Sequence, residues 1–212
     1  MITPRPSLVD IVADRLREKI LLGELALGAK LHQDYICREF GVSRTPLRQA
    51  LARLEAEGLI ETENHKSAVV RRPSRREMIE LYEIADSLEP LAAKLALPRR
   101  DGAVLEDLTS LLTRLEGTDD IRAWTTLNST FHMTMYLAAD RPLLCETISM
   151  IRNRTALYVQ MTSLAARREQ AEAEHRRILQ AYKTGNEAKL IDEVRQHLRG
   201  TVDMGFHMLA DR

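Results

Sequence analysis

Residues 27–60 carry two short amphipathic patterns separated by a glycine. The first sets Leu31, Tyr35, Ile36 and Phe40 at helical spacing, and the second sets Leu47, Ala50, Leu51 and Leu54. Apolar residues at i, i+3 and i+4 mark helices that bury one face, so two helices are expected with Gly41-Val42-Ser43 between them. Gly41 supplies the turn, Val42 a buried staple residue and Ser43 an N-cap hydroxyl. Pro46 falls in the first turn of the second helix, where its missing N–H costs little. Helix, three-residue turn, helix is an arrangement whose second helix can enter a DNA major groove.

The polar positions fit that reading. Ser43, Arg44, Thr45 and Arg48 cluster at the exposed start of the second helix, and Arg44 and Arg48 share a face. Arginine pairs bidentately with guanine, while hydroxyls suit phosphates and neighbouring base edges. On these residues alone, a solvated charged face on an ordinary helical hairpin is an equal reading.

The patterns on either side extend the unit. Ser7 and Asp10 form a capping box, followed by Leu8, Ile11, Val12, Leu16 and Ile20 on one helix face; Arg15, Arg17 and Lys19 read as its solvated side. After the second helix, 58–63 and 68–71 read as strands of a hairpin turning at 64–67, with His65 and Lys66 at the tip, where a minor groove or phosphate would lie. A two-stranded wing after the candidate recognition helix makes a winged helix-turn-helix.

Residues 71–76 are basic and broken by Pro73. The expected organisation is a DNA-binding domain at 1–72, a linker at 73–77 and a second domain at 78–212. Helical periodicity then marks six segments, about 75–97, 101–116, 119–139, 141–163, 168–184 and 186–209, with Pro90 expected to kink the first or shift its register. The fold class is mainly α: an N-terminal winged helix-turn-helix plus an all-α antiparallel six-helix bundle.

Composition changes this picture little. The 212 residues carry 31 basic and 31 acidic side chains, so DNA affinity must come from local placement of arginines and from dimerisation, not from bulk charge. Cys37 and Cys145 sit in helical patterns without a CxxC, which suits a reducing cytoplasm. No apolar run approaches the ~20 residues needed to cross a bilayer, so no membrane partner is expected.

Candidate chemistry lies in the bundle. Among six histidines, His132 follows Asn128 by one helical turn, among apolar Leu127, Phe131 and Met135. His175 and His197 lie at similar heights on the last two helices, which the turn near Gly185 folds antiparallel. Three inward imidazoles and an amide oxygen suit Zn²⁺ or Ni²⁺. A lone histidine on an apolar face is more often a hydrogen-bonded core residue, and both readings stand on the residues alone.

Two resemblances narrow them. Residues 27–31, GVSRTPLRQAL at 41–51 and RLEAEGLI at 53–60 resemble the DNA-binding domain of the GntR superfamily of bacterial transcription regulators, over about residues 7–72. Two positions depart from it: Ser67, where the family usually has glycine, and Asp34, where relatives often carry a basic residue that contacts DNA. Residues 127–132, 174–179, 185–188 and 195–197 resemble the FCD ligand-binding domain of the FadR branch, and six helices place the chain with its VanR-like group.

This second resemblance implies that Asn128, His132, His175 and His197 hold a divalent metal, Zn²⁺ ahead of Ni²⁺ or Mn²⁺, beside a small organic acid. It also implies a cytoplasmic homodimer on a pseudo-palindromic operator, acting as a repressor relieved by its effector. Ala85 stands where relatives often present an arginine, so Arg152 or Arg154, one of them facing inward, is expected to supply that charge. Two other functional classes draw on the same residues. A zinc hydrolase would use the same histidines but needs a general base such as HExxH supplies, and no Glu sits at that spacing from His132. A regulator with a structural metal only, or none, needs no effector site.

Overall fold

A computed structural model describes residues 7–63, 67–72, 74–159 and 164–209, without the side chains of 63, 158–159, 164–166 and 203–209. The chain falls into two compact units, Met1–Pro73 and Ser74–Arg212.

The first unit orders helix α1 (Leu8–Leu21), strand β1 (Lys30–Leu31), helices α2 (Gln33–Phe40) and α3 (Arg44–Ala56), and strands β2 (Ile60–Glu63) and β3 (Ser67–Val70). The capping box is present: the Ser7 side chain accepts from the Asp10 backbone N–H, and the Asp10 carboxylate accepts from that of Ser7. Val12, Leu16 and Ile20 of α1 pack with Leu47, Ala50 and Leu54 of α3 in the core. Leu8, Ile11 and Tyr35, expected on buried faces, are exposed. Each lies at the margin of an apolar stripe whose centre the short elements suffice to cover.

The charged side of α1 also differs from expectation. Arg17 donates to both carboxylate oxygens of Glu57 at 2.7 and 2.6 Å, Lys19 pairs with Glu39, and the Arg15 guanidinium stacks over Phe40. These side chains tie α1 to α2 and α3 and are not simply solvated.

Gly41 closes α2 in the left-handed conformation, φ +65°, which a side chain would strain. Ser43 holds the N-cap position of α3, but its hydroxyl makes no capping hydrogen bond. The wing hairpin forms with Ile60 opposite Val70 and Glu63 opposite Ser67, so Ser67 belongs to the strand and not to the turn. His65 and Lys66 lie outside the described residues. The sequence reading missed a third strand: β1 pairs with β3, Lys30 opposite Val69, giving the order β1-β3-β2. Two residues are too few for a period-2 signal.

The second unit has six α-helices among the described residues: α4 (Arg75–Ala96), α5 (Gly102–Glu116), α6 (Ile121–Leu137), α7 (Pro142–Val159), α8 (Leu164–Thr184) and α9 (Glu187–Leu209). Helix α4 begins inside the stretch expected to be linker, because Ser74 caps it through the Glu77 backbone N–H. It runs through buried Pro90 as one element. Asp101 and Asp120 cap α5 and α6. Helix α4 packs on α6, α7 and α9, α5 on α6 and α8, and α8 on α9. The shared core includes Met78, Leu108, Leu115, Phe131, Tyr136, Ile148, Ile178, Tyr182 and Leu190. Between α8 and α9, Gly185 turns the chain at φ +74°. Arg100 occupies the space where a Cβ would stand.

Candidate metal centre and DNA interface

Helices α6, α8 and α9 deliver His132, His175 and His197 to one point. One ligand nitrogen from each lies within 4.8 Å of the others, and the residues are 0%, 0% and 6% exposed. The Nε2 atoms of His132 and His175 face each other at 3.1 Å, and the ring of His197 stacks on that of His132 with centroids 4.8 Å apart. Phe131 and Trp124 close the apolar side against His175. Burial holds all three imidazoles well below the ordinary value of 6.5, which favours their neutral form; next come the Arg152 charge on His132, the unfavourable joint protonation of His197 with His175, and the Arg167 charge on His197. Neutral imidazoles are the form a metal needs.

A carboxylate settles the tautomer of His197. Glu174 Oε2 lies 2.7 Å from His197 Nδ1, which leaves Nε2 as the nitrogen able to ligate. Glu174 is itself held by Arg167 Nη2 at 2.8 Å and by Gln170 Nε2 at 2.9 Å. Arg167 also donates to the His197 carbonyl and to Thr201 Oγ1. Gly200 leaves room for this assembly, since a Cβ there would collide with the Arg167 guanidinium.

The donor set fits a metal by a second observation. Asn128 Oδ1, one turn before His132 on α6, is buried with no hydrogen-bond partner, as are Nδ1 of His132 and Nδ1 of His175. Buried polar atoms are almost always paired. An orphaned amide oxygen and three neutral imidazoles, two of them with an unpartnered nitrogen, match the nitrogen and oxygen preference of zinc.

Arg152 and Arg154, of which one was expected to face inward and supply charge to the effector, are each ion-paired to a carboxylate. Arg152 donates to Glu89 Oε2 at 2.9 Å, and Glu89, 2% exposed, also accepts from the Tyr136 hydroxyl at 2.7 Å. Burial, then the Glu89 charge, holds the Tyr136 hydroxyl well above its ordinary value, so it stays a donor. Arg154 pairs with Glu77. Of the two, Arg152 is the more enclosed, and each keeps a buried Nε that has no partner.

Sequence reading missed Glu89, Tyr136, Arg167 and Glu174. A signal existed only for the α8 pair: Arg167 and Glu174 stand seven apart, two turns along one face, just before the ligand candidate His175.

At the other unit, Ser43, Arg44, Thr45 and Arg48 are all exposed at the start of α3, while Leu47, Ala50, Leu51 and Leu54 bury the opposite face. Arg48 has no side-chain partner among the described residues. Arg44 donates through Nε and Nη2 to Asp34 Oδ1 at 3.2 and 2.8 Å.

Residues 8–70 match the bacterial regulatory proteins of the gntR family, and residues 80–200 match the FCD domain. The chain belongs to the GntR family of bacterial regulators that carry an FCD domain. That membership places it among transcription regulators and not among enzymes. Its relatives include a probable D-xylose utilization operon transcriptional repressor of Paenarthrobacter nicotinovorans, 28% identical over 86% of this chain and 81% of that one. The regulator McbR of Escherichia coli is 28% identical over 68% of this chain and 67% of its own. The solved structure of McbR superimposes with a TM-score of 0.87 over 95% of this chain and 98% of that one, at 23% identity. A putative GntR regulator from Rhodococcus sp. RHA1 gives 0.84 over 95% and 99%, at 21%. Both likenesses concern the fold. Among the described residues, no helix of this regulator is long and apolar enough to cross a membrane.

Proposed function

We propose that this GntR regulator is a homodimeric repressor whose operator affinity is set by a small organic acid bound beside a divalent metal in the FCD domain. The observation that carries the reading is the convergence of His132, His175 and His197 from three helices at one buried point. Asn128, His132, His175 and His197 would hold the ion, Zn²⁺ ahead of Ni²⁺ or Mn²⁺. When bound, the ion supplies Lewis-acidic attraction for an oxyanion. The Arg152 guanidinium, paired with Glu89, is felt by all three imidazoles.

Ser43, Arg44, Thr45 and Arg48 present the DNA-reading surface, with His65 and Lys66 at the wing tip as the expected backbone contacts. One such domain makes a small interface, so specific affinity needs two on a pseudo-palindrome. Exposed Ile84 and Leu91 on α4, with Leu143 and Met150 on the adjacent α7, support the bundle as the dimerising part. An effector that favours one spacing of the paired DNA-binding domains changes operator affinity by the ratio of its own affinities for the two states.

Elemental analysis of untagged protein purified without chelator tests the metal. One ion per chain, lost in His175→Ala, is expected; a metal-free protein that also takes up none on incubation with Zn²⁺, Ni²⁺ or Mn²⁺, with or without an added organic acid, rejects the reading. Loss of operator binding on adding organic acids to the metal-loaded dimer tests the rest.

A further inference from the structure

The charges around the histidine cluster already cancel. Glu89 is matched by Arg152 and Glu174 by Arg167, in ion pairs of 2.9 and 2.8 Å whose side chains are at most 14% exposed. Farther out, Arg177 is matched by Glu193. The candidate ligands add no charge: three imidazoles must be neutral to ligate, and Asn128 is an amide. A divalent ion at this point would therefore find no compensating anion among these side chains and would depend on ionised bound water or an added acid. Its surroundings are almost wholly removed from water, where an uncompensated charge is strongly disfavoured.

Neither nearby carboxylate can be diverted to the ion cheaply. Turning Glu174 inward would give up His197 Nδ1 and leave Arg167 buried without its acid. Turning Glu89 would strand Arg152 and the Tyr136 hydroxyl. Aspartate, isosteric with asparagine, would have provided a negative charge at position 128. This chain has Asn128 there, with Oδ1 unpartnered and buried.

We infer that Asn128 makes metal capture at the histidine cluster conditional on an anionic co-ligand, so that the divalent ion and a small oxyanion, a dianion of the dicarboxylate class, are bound as a unit. The inference rests on the metal reading above and adds to it that each component is held more weakly alone than with the other. Coupling of this kind is reciprocal: the anion tightens the metal by the factor by which the metal tightens the anion. Arg152, with a buried Nε that has no partner, offers the anion a further donor. The regulator would then respond to the coincidence of metal and acid more than to either separately.

The chain's single tryptophan makes the test direct, because the Trp124 ring lies 6.4 Å from that of His175 and paramagnetic Ni²⁺ bound there should quench its fluorescence. Full-length protein is titrated with Ni²⁺ in an anion-poor buffer, then with millimolar acetate, succinate or sulfate. Succinate should tighten Ni²⁺ by about tenfold or more. Asn128→Asp should bind Ni²⁺ about tenfold tighter than the parent without added anion, and should lose most of the succinate effect. A parent affinity unchanged by all three anions overturns the inference alone, and this arm needs no variant to fold. An Asn128→Asp chain with full helical circular dichroism that binds Ni²⁺ no tighter also overturns it. Absence of Ni²⁺ binding by both chains under every condition removes the metal reading and this inference with it.

Discussion

Oε2 of Glu174 lies 2.7 Å from Nδ1 of His197, and that contact decides which imidazole nitrogen is left for the cluster. Glu174→Gln retains the shape and removes the charge, and loss of such a partner costs metal affinity about 10–100-fold. Competition with a chromophoric chelator reads this; equal affinity in the two chains would assign Glu174 to packing alone. Glu174→Ala should do more, because Arg167 stays buried without its acid. A loss of about 3–5 kcal/mol in denaturant unfolding of the metal-free protein is expected.

Asp34 and Arg44 form the corresponding pair on the DNA side. Both side chains are 72% exposed, so the pair adds little to folding stability, and Asp34→Ala should leave the melting temperature unchanged. Its effect should appear on DNA. Removing the acid frees Arg44 and removes repulsion from phosphates, so non-specific affinity should rise and the salt slope should steepen by about one. An unchanged salt slope would show that the pair dissolves before DNA is reached. Arg48→Ala should instead weaken operator binding by about 1–3 kcal/mol.

Gly200 reverses the usual sign of a helix substitution. Replacing an interior helix glycine by alanine normally gains about 1 kcal/mol. Here the new Cβ would meet the Arg167 guanidinium, which is fixed by Glu174, the His197 carbonyl and Thr201. Gly200→Ala should therefore lower the melting temperature and weaken metal binding together. A stabilised variant would mean that the guanidinium moves aside at no cost.

The histidines set the acid limit. Their folded-state values lie well below the ordinary 6.5, so the unfolded chain takes up protons first as pH falls. Their neutral burial favours folding above about pH 6.5, and stability should decline progressively as pH drops below it. Chemical denaturation of the metal-free protein at pH 7.5 and 5.5 should show the decline, with His132→Gln flattening it. A pH-independent midpoint across that interval would contradict the neutral, buried assignment.

Leu143 is 77% exposed on α7, and with Ile84, Leu91 and Met150 it supports the proposed dimer face. Leu143→Asp should shift the particle mass in light scattering from dimer toward monomer and weaken operator binding without changing the melting temperature of the monomer. A dimer of unchanged strength would move the interface elsewhere on the bundle.

The chain's periodicities and stop signals were sufficient for the helices and the wing hairpin. Leu47, Ala50, Leu51 and Leu54 define α3 because helical spacing and burial on one face are the same statement in sequence and in space. The meeting of His175 and His197 was also legible, since a short α8–α9 turn fixes relative heights along two antiparallel helices, and the apolar face of α6 brings His132 to them. Tertiary structure decided the rest. Whether Leu8 and Tyr35 are covered depends on where neighbouring elements end, and β1 exists only because β3 lies beside it. The pairing of Arg152 with Glu89, 63 positions away, and of Arg44 with Asp34 is a matter of which long side chains can reach one another. Local sequence sets where a charge starts; packing of distant helices sets which partner neutralises it.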